Sequence, residues 1–167
     1  MDLKDSFSNK VKKAARIIPG IGSYQDKEKL RDIDQRLRGH IASIINKERK
    51  RIDELKNLFT KELKFDPLDD LDRLARKMDQ LSDTIKFAAY GYAPIFDQAI
   101  VDEKRLEELF NFDQSLEKEL LEVKAQVDIL VSSPEKELNE KIKEVELSLT
   151  KLEDKLKMRE EFLKQVK

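Results

Sequence analysis

The chain has no cysteine, a single histidine, and only four glycines and four prolines among 167 residues. Lack of cysteine excludes a disulfide framework, a thiolate metal site and a cysteine nucleophile. With His40 as the one histidine, a Ser-His-Asp arrangement has no local support, and no serine lies in a Gly-x-Ser-x-Gly elbow. His40 also lacks a carboxylate at Glu-x-x-His spacing, because Leu37 and Ser43 occupy the positions three away, and it is read as a histidine at the edge of an apolar seam. Long apolar runs are missing as well. No window approaches the ~18–20 apolar residues of a spanning helix, and the first five residues lack the basic and apolar regions of a secretory signal. These absences lead to the expectation of a cytoplasmic, non-enzymatic protein with no cofactor, no metal site and no evident small-molecule substrate.

What the chain does contain is charge. Lys and Arg number 34, Asp and Glu 35, together 41% of the residues, against about 25% in an average domain. Dense charge with few turn formers is the composition of long solvated helices, so the predicted class is all-α, in one domain. The net charge of −1 hides an asymmetry, because residues 1–66 hold 17 basic against 11 acidic residues and residues 67–167 hold 17 against 24. The two halves are expected to attract each other within a bundle or between subunits; the alternative is that the front half faces an anionic surface.

Residues 2–18 set Leu3, Phe7, Val11, Ala14, Ile17 and Ile18 at steps of three and four, with Lys4, Lys10, Lys12, Lys13 and Arg16 on the remaining face. This predicts a basic amphipathic helix over 1–18, ended by Pro19-Gly-Ile-Gly22. The turn lacks the Gly-x-Gly-x-x-Gly and P-loop spacings of a phosphate cradle. A helical bundle is predicted over 23–167, with helices at about 23–63, 67–89, 102–131 and 134–166. Ser23, Asp66, Asp102 and Ser133 are the predicted N-caps, with Pro67 and Pro134 at first helical positions. The first long helix keeps Leu30, Ile33, Leu37, Ile41, Ile44, Ile45, Ile52, Leu55, Leu58, Phe59 and Leu63 on one face. The pairs Asp32/Arg36, Asp34/Arg38, Arg49/Asp53 and Lys50/Glu54 fall on its other faces. Gly39-His40 is its weak point, where a kink would fall.

Leu71, Leu74, Met78, Leu81, Ile85 and Ala88 form a heptad seam in the second helix. In the third, Leu106, Leu109, Asp113, Leu116, Leu120, Val123, Val127 and Leu130 repeat at three and four, with Asp113 the one polar interruption. The fourth continues with Leu138, Ile142, Val145, Leu149, Leu152, Leu156, Arg159, Leu163 and Val166. Matched seams joined by a short break predict an elongated four-helix bundle with a C-terminal antiparallel coiled-coil hairpin. A single rod kinked at Pro134 is the competing arrangement.

Two stretches carry a resemblance. Ile18-Pro-Gly-Ile-Gly-Ser-Tyr24, running into Lys27, Glu28, Arg31, Asp34, Leu37 and Arg38, is one. Tyr90-Gly-Tyr-Ala-Pro-Ile-Phe-Asp97, running into Val101, Asp102, Glu103, Leu106, Phe110 and Asp113, is the other. Together, over about a third of the chain, they resemble a group of uncharacterised all-helical prokaryotic proteins. The resemblance implies the helical class and carries over no activity and no functional residue.

The expected function is that of a non-catalytic interaction or scaffolding protein, with a protein partner or a second copy of itself, since long seams are seldom covered in one chain. The alternative is a peripheral adaptor at the inner membrane face, docking on an anionic surface through Leu3, Phe7, Val11, Ile17 and Ile18 with Lys4, Lys10, Lys12, Lys13 and Arg16. Residues 2–18 otherwise fold onto the bundle. Tyr90, Tyr92, Ile95 and Phe96 either plug one end of the bundle or anchor a partner. Lys47-Glu-Arg-Lys-Arg51 is read as a solvated helix face rather than a nucleic-acid contact, because Glu48 interrupts it and no aromatic is interleaved. The cluster Asp66, Asp69, Asp70, Asp72 lacks the glycine of a calcium loop and is read as helix capping.

Overall fold

A computed structural model describes residues 27–88 and 103–165, and the side chains of 34–88 and 108–164. The amphipathic segment 1–18, the Ser23 and Asp102 caps and the aromatic stretch Tyr90–Phe96 lie outside the described residues. Those described form four α-helices and no strand. They are α1 (Lys27–Lys61), α2 (Leu68–Phe87), α3 (Glu103–Ser132) and α4 (Leu138–Gln165), with a 3-10 turn at Glu135–Glu137 before α4. The all-α bundle is therefore the fold, with helix ends close to those the periodicity predicts.

The helices pair as two hairpins, α1 with α2 and α3 with α4. Arg49 meets Asp79, and seven residues further along α1, Lys56 meets Asp72, seven residues back along α2, so that hairpin is antiparallel. In the second hairpin Arg159 meets Asp113 while Phe162 stacks on Phe112 with ring centres 5.3 Å apart. The chain thus reverses at 132–138 and does not continue as a kinked rod. Across the hairpins, α1 lies along α3 and α2 along α4, both in parallel. His40 faces Glu117 and, eleven residues on in both helices, Arg51 faces Asp128. Arg73 likewise faces Glu146 and, four residues on in both, Lys77 bonds Thr150.

One end of the bundle therefore gathers the start of α1, the end of α2, the start of α3 and the end of α4. The other end holds the two short loops. Between them the seams close on one another: Leu37, Ile41, Ile45, Ile52, Leu71, Leu74 and Met78 from the first hairpin meet Leu116 to Leu130 and Leu138 to Leu152 from the second. Each such side chain stabilises the fold by about 1.5–3 kcal/mol relative to exposure. Among the described residues the seams are covered within one chain.

Several local expectations need correction. Helix α1 passes Gly39 and His40 without a break, since Leu37, Ile41 and Ala42 around them are buried and hold the backbone in register. Asp66 does not cap α2. Pro67 itself holds the cap position at φ −82° and ψ −7°, with no side-chain cap bond, and the Leu71 N–H donates to its carbonyl at 3.1 Å. Ser133 does not cap α4 either. Its hydroxyl donates to the Ile129 carbonyl at 2.7 Å, satisfying the end of α3, and the extended Pro134 delays α4 to Leu138. Leu58 and Leu63, expected on the apolar face of α1, are exposed.

Candidate functional site

The polar interior comes first, because buried charge is where helical bundles build chemistry. Asp34, Arg38, Asp113 and Arg159 are each no more than 4% exposed. Arg159 donates from Nε to Asp113 Oδ1 at 2.6 Å and from a terminal nitrogen to Asp34 Oδ1. Arg38 donates from Nε to Asp34 Oδ2 at 2.7 Å and reaches the Ile85 carbonyl at 3.4 Å. Among the described residues the four formal charges cancel, and the network joins all four helices at the end opposite the loops. Burial opposes the charge on Arg159, but Asp113 and Asp34 outweigh it and hold the guanidinium above its ordinary range. Asp34 and Arg38, expected as a pair on an outer face, do pair, but inside the bundle.

A second polar intrusion lies midway along α1. Glu48, 1% exposed, falls between Ile45 and Ile52 on the buried face and accepts from Arg51 at 2.7 Å. Arg51 also bonds Asp128 on α3, and although burial opposes its charge, the two carboxylates raise its affinity for the proton. Here the arginine stem crosses the α1–α3 boundary and brings its own counter-ion with it.

His40 lies at the seam edge with Nε2 3.5 Å from Glu117 Oε2, a neighbour that only the α1–α3 packing supplies. Neither atom makes a hydrogen bond. Among the described residues no group of three His, Asp or Glu side chains is placed to hold a metal. The network carboxylates are engaged by guanidiniums.

The loop end has a different character. Helix α1 finishes in a C-terminal motif in which the Lys64 N–H donates to the Phe59 carbonyl at 2.9 Å and the Leu63 N–H to the Thr60 carbonyl at 3.2 Å. This pattern requires a left-handed residue, ordinarily glycine, and here Leu63 occupies it at φ 58°. The apolar contact that usually seals the motif is replaced by the Lys64 ammonium 5.8 Å from the Phe59 ring centre. Leu63 is 75% exposed, Phe65 59% and Leu58 50%, a concentration of apolar surface in one turn and loop. Lys64 also pairs with Glu135 at 3.3 Å, tying this loop to the one between α3 and α4.

The predicted contact residues, from Leu3 to Ile18 and from Tyr90 to Phe96, lie outside the described residues. The described residues that flank these segments in sequence, Lys27, Ala88 and Glu103, lie at the end carrying the ion network, away from the exposed loop. No helix among the described residues is long and apolar enough to cross a membrane. Comparison with known protein families, with characterised proteins and with solved structures finds no match to this chain, so the resemblance rests on the quoted residues alone. Sequence reasoning missed the loop end because it placed Leu58 and Leu63 in the core; the available signal was four large apolar residues, Leu58, Phe59, Leu63 and Phe65, within eight positions around the α1 terminus.

Proposed function

We propose that this protein is a non-catalytic, cytoplasmic helical scaffold that self-associates through its loop end. The supporting observation is Leu63, an exposed leucine held in a left-handed conformation beside exposed Phe65 and Leu58. A non-glycine residue in that region costs about 1–2 kcal/mol, and the apolar side chain it presents gains nothing from water. Both costs acquire a purpose if the surface is covered in an assembly. A second copy is the favoured occupant because the charges around the tip are mixed. Lys61, Lys64 and Lys136 stand against Glu62, Asp66, Glu135 and Glu137, so two tips can meet with opposite charges facing.

Light scattering on the full chain tests this. The mass is expected to rise above one chain with concentration, and Leu63→Gly combined with Phe65→Ser is expected to return it to one chain. Leu63→Gly alone should meanwhile raise stability to urea by about 1 kcal/mol, because glycine adopts the conformation without steric cost. A wild-type mass that stays at one chain over the whole range would sink the reading.

A further inference from the structure

We infer that a hollow between α1 and α2 is an anion site for a phosphate-bearing ligand, on a different part of the molecule from the self-associating tip and independent of it. The hollow, of about 420 Å³, is open to solvent and lined by Gly39, Ser43, Asn46, Lys47 and Lys50 of α1 and by Lys86 of α2. Among the described residues no carboxylate lines it. The other concavity described, between α2 and α4, mixes Arg73, Arg76 and Lys77 with Asp83 and Glu153 and so is internally compensated.

The three lysines stand out against the charge pairing around them. In the run Lys47 to Arg51, Arg49 is taken by Asp53 and Asp79, and Arg51 by Glu48 and Asp128. Among the described residues Lys47 and Lys50 have no ion pair, and the helical pair expected between Lys50 and Glu54 is not made. Asp79 of α2 already holds Arg49 at 2.8 Å, and Asp83, three residues before Lys86, lines the concavity between α2 and α4 instead. Among the described residues, three like charges therefore border one concavity with no ion pair of their own, where their summed potential attracts an anion.

Ammonium groups are point charges that suit the tetrahedral oxygens of a phosphate. Planar carboxylates are better matched by guanidinium forks, and the arginines here are already engaged that way. Ser43 and Asn46 add neutral donors. Gly39 leaves the floor open, as a Cβ built there meets nothing within 4 Å. The same chemistry is offered by a soluble phosphate compound and by a phospholipid headgroup.

Titration of the full chain with tripolyphosphate, followed by the amide resonances of Gly39, Ser43 and Asn46, tests the site. Parallel sedimentation with phosphatidylglycerol vesicles and with phosphatidylcholine vesicles separates the two sources. Saturable, salt-sensitive shifts at those amides, weakened at least about tenfold in Lys47→Gln/Lys50→Gln/Lys86→Gln, support a soluble ligand. Sedimentation with the anionic vesicles alone, lost in the same variant, supports a headgroup. Gly39→Glu adds a carboxylate to a lining position where a Cβ meets nothing within 4 Å and replaces glycine by a better helix former, so it should weaken binding while raising stability. Lys118→Gln/Lys124→Gln/Lys143→Gln, with the same change of net charge, should bind as wild type. The inference is overturned if neither probe binds, or if the two triple variants lose binding equally.

Discussion

Replacing Asp113 by leucine removes one negative charge from a cluster that, among the described residues, holds two aspartates and two arginines and sums to zero. The Asp113 and Arg159 side chains are 1% and 3% exposed, so water cannot neutralise the excess positive charge left behind. Breaking a buried pair from one side costs about 3–5 kcal/mol, a large share of the roughly 5–15 kcal/mol that holds a domain folded. The double substitution Asp113→Leu/Arg159→Leu should behave differently. It restores neutrality, leaves the Asp34–Arg38 bond of 2.7 Å in place, and puts leucines where both seams are otherwise apolar. Its cost is expected within about 1–2 kcal/mol of wild type, a coupling of at least about 2 kcal/mol between the two changes. Urea unfolding followed by far-UV circular dichroism measures wild type, the single variants Asp113→Leu and Arg159→Leu, and the double variant. A single substitution costing less than about 1 kcal/mol, or two single costs that simply add, would refute the idea that the four charges act as one unit.

Gly39→Ala should stabilise the chain by about 1 kcal/mol in the same assay, since the position is helical and the new methyl group meets open space. The Asp72 carboxyl lies below its ordinary range because Lys56 bonds and faces it, with Arg76 adding to the effect. A depressed carboxylate stabilises the fold at neutral pH and loses that contribution as pH falls through its folded value, below the usual range near ~3.9. An NMR titration should show Asp72 returning upward in Lys56→Met. Leu149→Ala, at a position with no exposure, is expected to cost about 2–5 kcal/mol. Leu147→Ala, two residues away and 57% exposed, should stay within about 0.5 kcal/mol.

The candidate surfaces were only partly legible in the sequence. The run Lys47 to Arg51 reads as one basic cluster along the chain, yet packing divides it: the arginines turn to acids on α2 and α3, and the lysines are left bordering the hollow. Leu63 fits the apolar spacing of α1, and nothing in that spacing shows that the helix has already ended at Lys61. Where a helix stops depends on where the next one must dock, and α2 requires the chain to reverse there.

The sequence by itself determined the helical class, the four helical segments and the face each buries, because those follow from spacing of three and four residues within a single segment. It also marked Asp113 as the break in its seam and placed Arg159 within the spacing of the fourth helix. Tertiary structure alone decided that these two meet, and that Asp34 joins them. The partners lie 46 and 125 residues apart in the chain, and Arg51 and Asp128 lie 77 apart. Local periodicity says which way a side chain points around its own helix. It carries no information on the axial level at which one helix settles against another, and that level is set by the packing of all four seams together.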